Sequence, residues 1–174
     1  MIASAVSNEE GFTHVYALLY TLTKWLESTW WATIIRTTRI YPFIQVIHFS
    51  GLSLWLGTNI TVDLRLLGVG RKKQTAAQLS DALYAWNWIG FSVVALGGFL
   101  LYSGIGTTYL VNTAFRYKLG LFVPLALAWH IFIQWKASTW GRESYTPVVA
   151  KLGGLVEILL WLCVVIAAVE IPNY

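Results

Sequence analysis

The chain runs to 174 residues, of which 57% are hydrophobic and only 11% charged, with a mean hydropathy of +0.61. A soluble domain carries roughly a quarter charged residues, so too little charge is present to cover a water-facing surface, and disordered, coiled-coil and disulfide-scaffold classes are excluded with it. The net charge of +4 is spread along the chain, as it is when lysine and arginine flank membrane spans, and makes no nucleic-acid footprint; the lone Cys163 excludes an internal disulfide and any Cys-based zinc or iron–sulfur centre.

Residues 1–39 read as an N-terminal amphipathic segment lying at the membrane interface. Phe12, Val15, Tyr16, Leu19, Leu26 and Trp30 recur at helical spacing, Thr13, Lys24 and Glu27 interrupt the run, and Trp25, Trp30 and Trp31 suit headgroup level. Glu9 and Glu10 stand where a secretory signal would begin with basic residues. Residues 40–174 then hold four apolar runs, roughly 41–67, 88–111, 119–135 and 152–169, close to the length of about 20 residues that a membrane helix needs. They are separated by Arg71-Lys72-Lys73-Gln74, by residues 112–118, and by residues 140–151 with Gly141 and Pro147. None alternates as a membrane strand would, and short connections favour antiparallel neighbours. The predicted fold is therefore all-α, an integral membrane four-helix bundle preceded by an interfacial helix. On one side Arg65, Arg71, Lys72, Lys73, Lys136, Arg142 and Lys151 make seven basic residues, against five (Lys24, Arg36, Arg39, Arg116 and Lys118) on the other. That count predicts cytoplasmic first and third loops and both termini outside.

Ionisable groups at membrane depth are costly and mark places to look for function. In the first span, Gln45, Asn59 and Asp63 lie within about 60° of His48 on a helical wheel, with Trp55 near the same direction, so this stripe should face inward. Ser53 and Gly57 make a small-residue pair suited to a close helix crossing. His130 and Gln134 share a face of the third span, and Glu157 lies in the fourth at a similar depth, so antiparallel neighbours would allow a His130–Glu157 pair, either as a structural hydrogen bond or as a proton-handling site. Asp63 and Arg65, where the first span ends, suit an interfacial ion pair or a helix-terminus contact. His48 and His130 are the candidate haem or metal ligands, although parallel spans would set them something like 10 Å apart in depth. His14 points away from the apolar face of its helix. Gly97-Gly98 and Gly104-x-Gly106 suit helix packing.

Enzyme templates are absent: the chain has no nucleophile elbow, phosphate-cradling glycine loop, HExxH or paired-carboxylate arrangement. Trp25-Leu26-Glu27, Tyr41-Pro42, His48-Phe49-Ser50-Gly51-Leu52, Asp63-Leu64-Arg65-Leu66-Leu67-Gly68, Trp88-x-Gly90-Phe91 and Phe115-x-x-Lys118-Leu119 together resemble an uncharacterised family of bacterial four-helix membrane proteins. In plan that family is similar to CopD-type copper-resistance proteins and four-helix b-type cytochromes, a fold-level analogy. The resemblance picks out His48 as the signature histidine. His130 falls where many relatives carry Asn, and the ending Val169-Glu170-Ile171-Pro172 departs from the family's small-Gly-Arg pattern.

These readings lead to a redox-associated subunit of the bacterial inner membrane that binds haem b through His48. The second ligand would be His130, a group from a partner chain, or none. The alternatives are a structural or assembly subunit of a larger membrane complex, and a small transporter or copper-handling protein. The last is short of soft ligands, with Cys163 and Met1 its only sulfur residues. The expected partners are the lipid bilayer and other membrane subunits or further copies of the chain.

Overall fold

The computed structural model describes residues 2–70, 73–140 and 146–173. The elements, in order, are α1 (Ile2–Glu27), α2 (Trp30–Thr37), α3 (Tyr41–Leu66), α4 (Ala76–Val111), α5 (Thr113–Tyr117), a π-helical turn (Lys118–Phe122), α6 (Val123–Trp140), α7 (Val148–Glu170) and a closing 3₁₀ turn (Ile171–Asn173). No strand occurs among the described residues. Helices α3, α4, α6 and α7 form a ring in which each touches the next, with α1 and α2 laid against α4. Ala76–Val111, Thr113–Ala137 and Val148–Glu170 are each long and apolar enough to cross a membrane; α3 meets that test only jointly with α2, across a bend of 101°.

Local sequence explains the boundaries. Pro42 sits in the first turn of α3, where its missing N–H costs nothing. At the other end Gly68 takes a φ of 87°, a conformation that glycine adopts without strain. Its N–H reaches the Arg65 carbonyl at 3.1 Å while the Val69 N–H reaches that of Leu64 at 2.9 Å, the double closure of a Schellman end. Helix α4 starts twelve residues before the predicted second span because Thr75 and Gln78 form a reciprocal capping box. The third predicted span gains α5 ahead of it: Asn112 Oδ1 accepts from the Phe115 N–H at 2.9 Å while its Nδ2 donates to the Ile171 carbonyl at 2.8 Å, so one side chain starts a helix and ties it to the chain's end.

Helices α3 and α4 approach most closely, and the contact is made of glycine. A Cβ on Gly90 would lie 2.7 Å from the Trp55 backbone nitrogen, one on Gly51 2.8 Å from that of Val94, and one on Gly97 2.9 Å from the His48 Cβ. Ser53 and Gly57, predicted to serve this purpose, are exposed, and nothing lies within 4 Å of a Cβ at Gly57. They fail because the wheel direction of the contact is set by Gly51 and Trp55, which are two residues out of phase with the Ser53–Gly57 pair. Gly97-Gly98 and Gly104-x-Gly106 do pack closely, against His48 in the first case and Ile35 and Thr23 in the second.

Helix α1 departs from the predicted amphipathic face. Val15 is 57% exposed and Leu19 46%, whereas Thr23 is 4% exposed and its Oγ1 lies 2.6 Å from the Tyr102 hydroxyl on α4. Thr23 and Glu27 make the docking side and Lys24 is exposed, while of the apolar positions Val15 and Leu19 face outward and Tyr16 and Leu26 are half-buried. Trp25 and Trp30 are exposed, while Trp31 packs against Ile35, Ile44 and Leu101. The side chains of Glu9, Glu10, Phe12 and Thr13, and residues Arg71, Lys72, Gly141 and Arg142, lie outside the described residues.

Candidate functional site

The polar interior is gathered at the end of the bundle where α3 finishes, α4 begins, α6 finishes and α7 begins. Asn59 and Asp63 come from α3, Asn87 and Trp88 from α4, His130 and Gln134 from α6, and Glu157 from α7. Asn59, Asp63, Asn87, His130 and Glu157 are each at most 3% exposed. Glycine again permits the approach: a Cβ on Gly154 would stand 3.2 Å from the Asp63 carbonyl, which brings α7 against α3 one turn from Glu157.

The direction of the amide hydrogen bonds here follows from one group. An indole N–H only donates, so the Trp88 Nε1 contact of 3.2 Å orients Gln134 with its Oε1 as acceptor. Gln134 Nε2 then donates to Asn87 Oδ1 at 3.1 Å, which turns Asn87 Nδ2 toward Thr58 Oγ1 (2.9 Å) and Asn59 Oδ1. The same Asn87 Oδ1 lies 3.0 Å from His130 Nε2, so that ring nitrogen carries a hydrogen and donates. His130 Nδ1 is left facing Glu157 Oε1 at 2.5 Å. In that contact a single proton serves both partners: neutral imidazole accepts it from the carboxylic acid, or imidazolium donates it to the carboxylate. Asp63 and Glu157 both border one small cavity. Trp55, Trp88, Phe91 and Trp161 close the apolar side; the Trp55 ring centroid is 4.6 Å from that of His130. On the other side lies a cavity of about 20 Å³, bordered by Asn59, Asp63, Ser80, Tyr84, Asn87 and Glu157 among others.

The structure brings together six of the predicted residues, Asn59, Asp63, His130, Gln134 and Glu157 with Trp55 against the His130 ring. It sets the others apart. Asp63 does not pair with Arg65, whose Nε donates to the Gln74 carbonyl at 2.7 Å and holds the α3–α4 connection; residues two apart leave a helix about 200° apart, so one faces the core as the other faces the loop. Gln45 and His48 are half-buried toward the opposite end. His48 Nδ1 lies 2.8 Å from the Val94 carbonyl and its ring rests on Gly98, where a Cβ would come within 3.2 Å of Cε1. His14 is exposed and Cys163 half-buried. Asn87, which ties the network together, is not reached by sequence reasoning because the predicted second span begins at Trp88; the Thr75-x-x-Gln78 capping signal is the feature that extends the helix to include it.

The residues present do not fit a haem held between His48 and His130 of one chain. Both nitrogens of His130 are engaged, by Glu157 and Asn87. The two histidines dock on α4 at Val94 and Asn87, which a helical rise puts about 10 Å apart. Among the described residues no three His, Cys, Asp or Glu side chains converge closely enough to hold a metal ion. Compared with family models, with curated proteins and with solved structures, the chain finds no match in any of the three.

Proposed function

We propose that this chain is a proton-handling integral membrane protein, a redox-associated subunit of a bacterial inner membrane, whose working centre is His130, Glu157 and Asp63. The observation that carries the reading is the buried 2.5 Å contact between His130 Nδ1 and Glu157 Oε1, with Nε2 held as a donor by Asn87. A proton can move from the Glu157 acid to Nδ1, leaving a carboxylate and an imidazolium, without moving any heavy atom of the frame. Intramembrane acid–histidine chains of this kind belong to proton relays. Helices α3, α4, α5–α6 and α7 are the four spans, and α1 lies at the interface with Trp25 and Trp30 at headgroup level. Arg65, Lys73, Lys136 and Lys151, with Arg71, Lys72 and Arg142, put the acid cluster at the cytoplasmic end and both termini outside.

The test is proton flux into liposomes that hold the purified protein and an entrapped pH indicator, driven by a potassium diffusion potential. Wild type conducts, and Glu157→Gln, which keeps the shape but has no exchangeable acid, falls at least tenfold. Equal flux in the two proteins sinks the proposal.

A second reading, haem b ligation by His48 with the other axial ligand from a partner chain, is favoured by the bond to the Val94 carbonyl, which fixes one ring nitrogen and leaves Nε2 for a metal. A reduced-minus-oxidised spectrum of gently purified protein, with His48→Ala alongside, decides it: the reading requires a Soret band that the variant loses.

A further inference from the structure

The bond directions that begin at Trp88 leave two polar atoms over. With its oxygen accepting from Asn87, Asn59 must turn its Nδ2 the other way, and that nitrogen has no hydrogen-bond partner among the described residues although Asn59 is 3% exposed. Asp63 Oδ2, on a residue 1% exposed, has none either. The two residues are one helical turn apart on α3 and both border the cavity of about 20 Å³. Buried polar atoms are almost always satisfied, so a donor and an acceptor left at one small cavity define the molecule that belongs there. A sodium ion would suit Asp63 but face the amide N–H. An ammonium ion only donates and leaves Asn59 unmet. An anion suits Asn59 but faces two carboxyls. Water alone both accepts and donates, and a cavity needs only about 10–15 Å³ of this kind of space to hold one.

We infer that the cavity is a binding site for a single water molecule, which accepts from Asn59 Nδ2 and donates to Asp63 Oδ2, and that this site makes the cluster selective for protons over metal cations. The inference rests on the proton-handling reading and gives it a route. The water stands between Asp63 and the Ser80–Tyr84 wall of the cavity, on the side of the α3–α4 connection, so protons reach Asp63 from there and pass to Glu157 and His130.

Infrared difference spectra between acid and neutral pH, recorded on the protein in lipid nanodiscs in ordinary and ¹⁸O-labelled water, test both levels separately. Wild type should show one isotope-shifted water O–H band together with a protonated carboxyl band. Ser80→Leu, which fills the cavity, should lose the water band and keep the carboxyl band. Asn59→Asp, nearly isosteric, exchanges the unmet donor for an acceptor; it should lose the water band and make the carboxyl band respond to sodium against choline, and it keeps the test open if Ser80→Leu fails to fold. A wild-type spectrum without an isotope-sensitive band, a wild-type carboxyl band that shifts with sodium, or an Asn59→Asp spectrum identical to wild type overturns the water site. A carboxyl band that survives both Asp63→Asn and Glu157→Gln instead removes the proton-handling reading itself.

Discussion

Trp88 sets the hydrogen map of the whole polar core, because a group that can only donate forces each amide after it into one orientation. The consequence reaches His130, which is committed through Nε2 and can exchange a proton only at Nδ1. That asymmetry separates two substitutions at the same place. Glu157→Gln can still donate to Nδ1 and should unfold within about 1 kcal/mol of wild type, the net worth of a typical hydrogen bond. Glu157→Leu leaves His130 Nδ1 without its partner in a buried site and should lose about 3–5 kcal/mol, as for a buried pair broken on one side. Thermal unfolding in detergent, followed by tryptophan fluorescence, compares the two. The His130–Glu157 contact is legible in the sequence because depth along two antiparallel helices is simple arithmetic. The fate of Asp63 is not, since a residue near a helix end reads equally as an ion-pair partner of Arg65 until the neighbouring helix is known.

At the scale of the element, the α3–α4 pair behaves as one unit because three glycines remove the side chains that would hold it apart. Gly90→Ala places a methyl group against the Trp55 backbone; backbone cannot yield as a side-chain tip can, and the cost should be about 1–3 kcal/mol, typical of overpacking. Gly57→Ala meets nothing within 4 Å and should gain about 0.5–1 kcal/mol from helix propensity alone. Midpoints of unfolding for the two variants should therefore move in opposite directions. Both glycines lie in runs that look alike on paper. What distinguishes them is the rotation of α3 about its axis, which hydrophobic periodicity would supply in water. Here nearly all faces are apolar, so the periodicity is faint, and only the spacing of buried polar residues (Asn59 and Asp63, four apart) carries the phase.

Over the whole molecule, α1 is held by the polar residues Thr23 and Glu27 while Val15 and Leu19 face out. Glu27 is the chief contact: Oε1 accepts from the Thr107 N–H at 2.6 Å and from its hydroxyl at 2.8 Å. Burial works to raise its pKa, but those two bonds, with Lys24 and Arg36 nearby, outweigh it, and the group lies below its ordinary value. A carboxyl held low in the folded state contributes stability that is present above its unfolded value and is lost as pH falls through the folded one. Distance measurements between labels on α1 and α4 should accordingly show docking intact at neutral pH and loosening in acid below the ordinary carboxylate range. Glu27→Gln should weaken docking at neutral pH by about 1.5–3 kcal/mol, as for a hydrogen bond to a charged group, and flatten the acid response. The all-helical plan and about half of the span boundaries were legible from composition and apolar runs; which side of α1 docks was not, because that depends on a break in a distant helix. The break is at Ile105, with φ −142° and ψ 38°. It strands the Thr107 N–H and the Gly104 carbonyl, which receive Glu27 and, at 3.4 Å, Arg36 Nη1. These partners lie 80 and 68 positions earlier in the chain. During synthesis, then, the segment made first has nothing to grip until a helix made much later has formed, and that helix carries an unhealed fracture until the first segment returns. Assembly is thereby ordered against translation, and a chain cut short before residue 102 would leave its own beginning without the polar contacts that dock it.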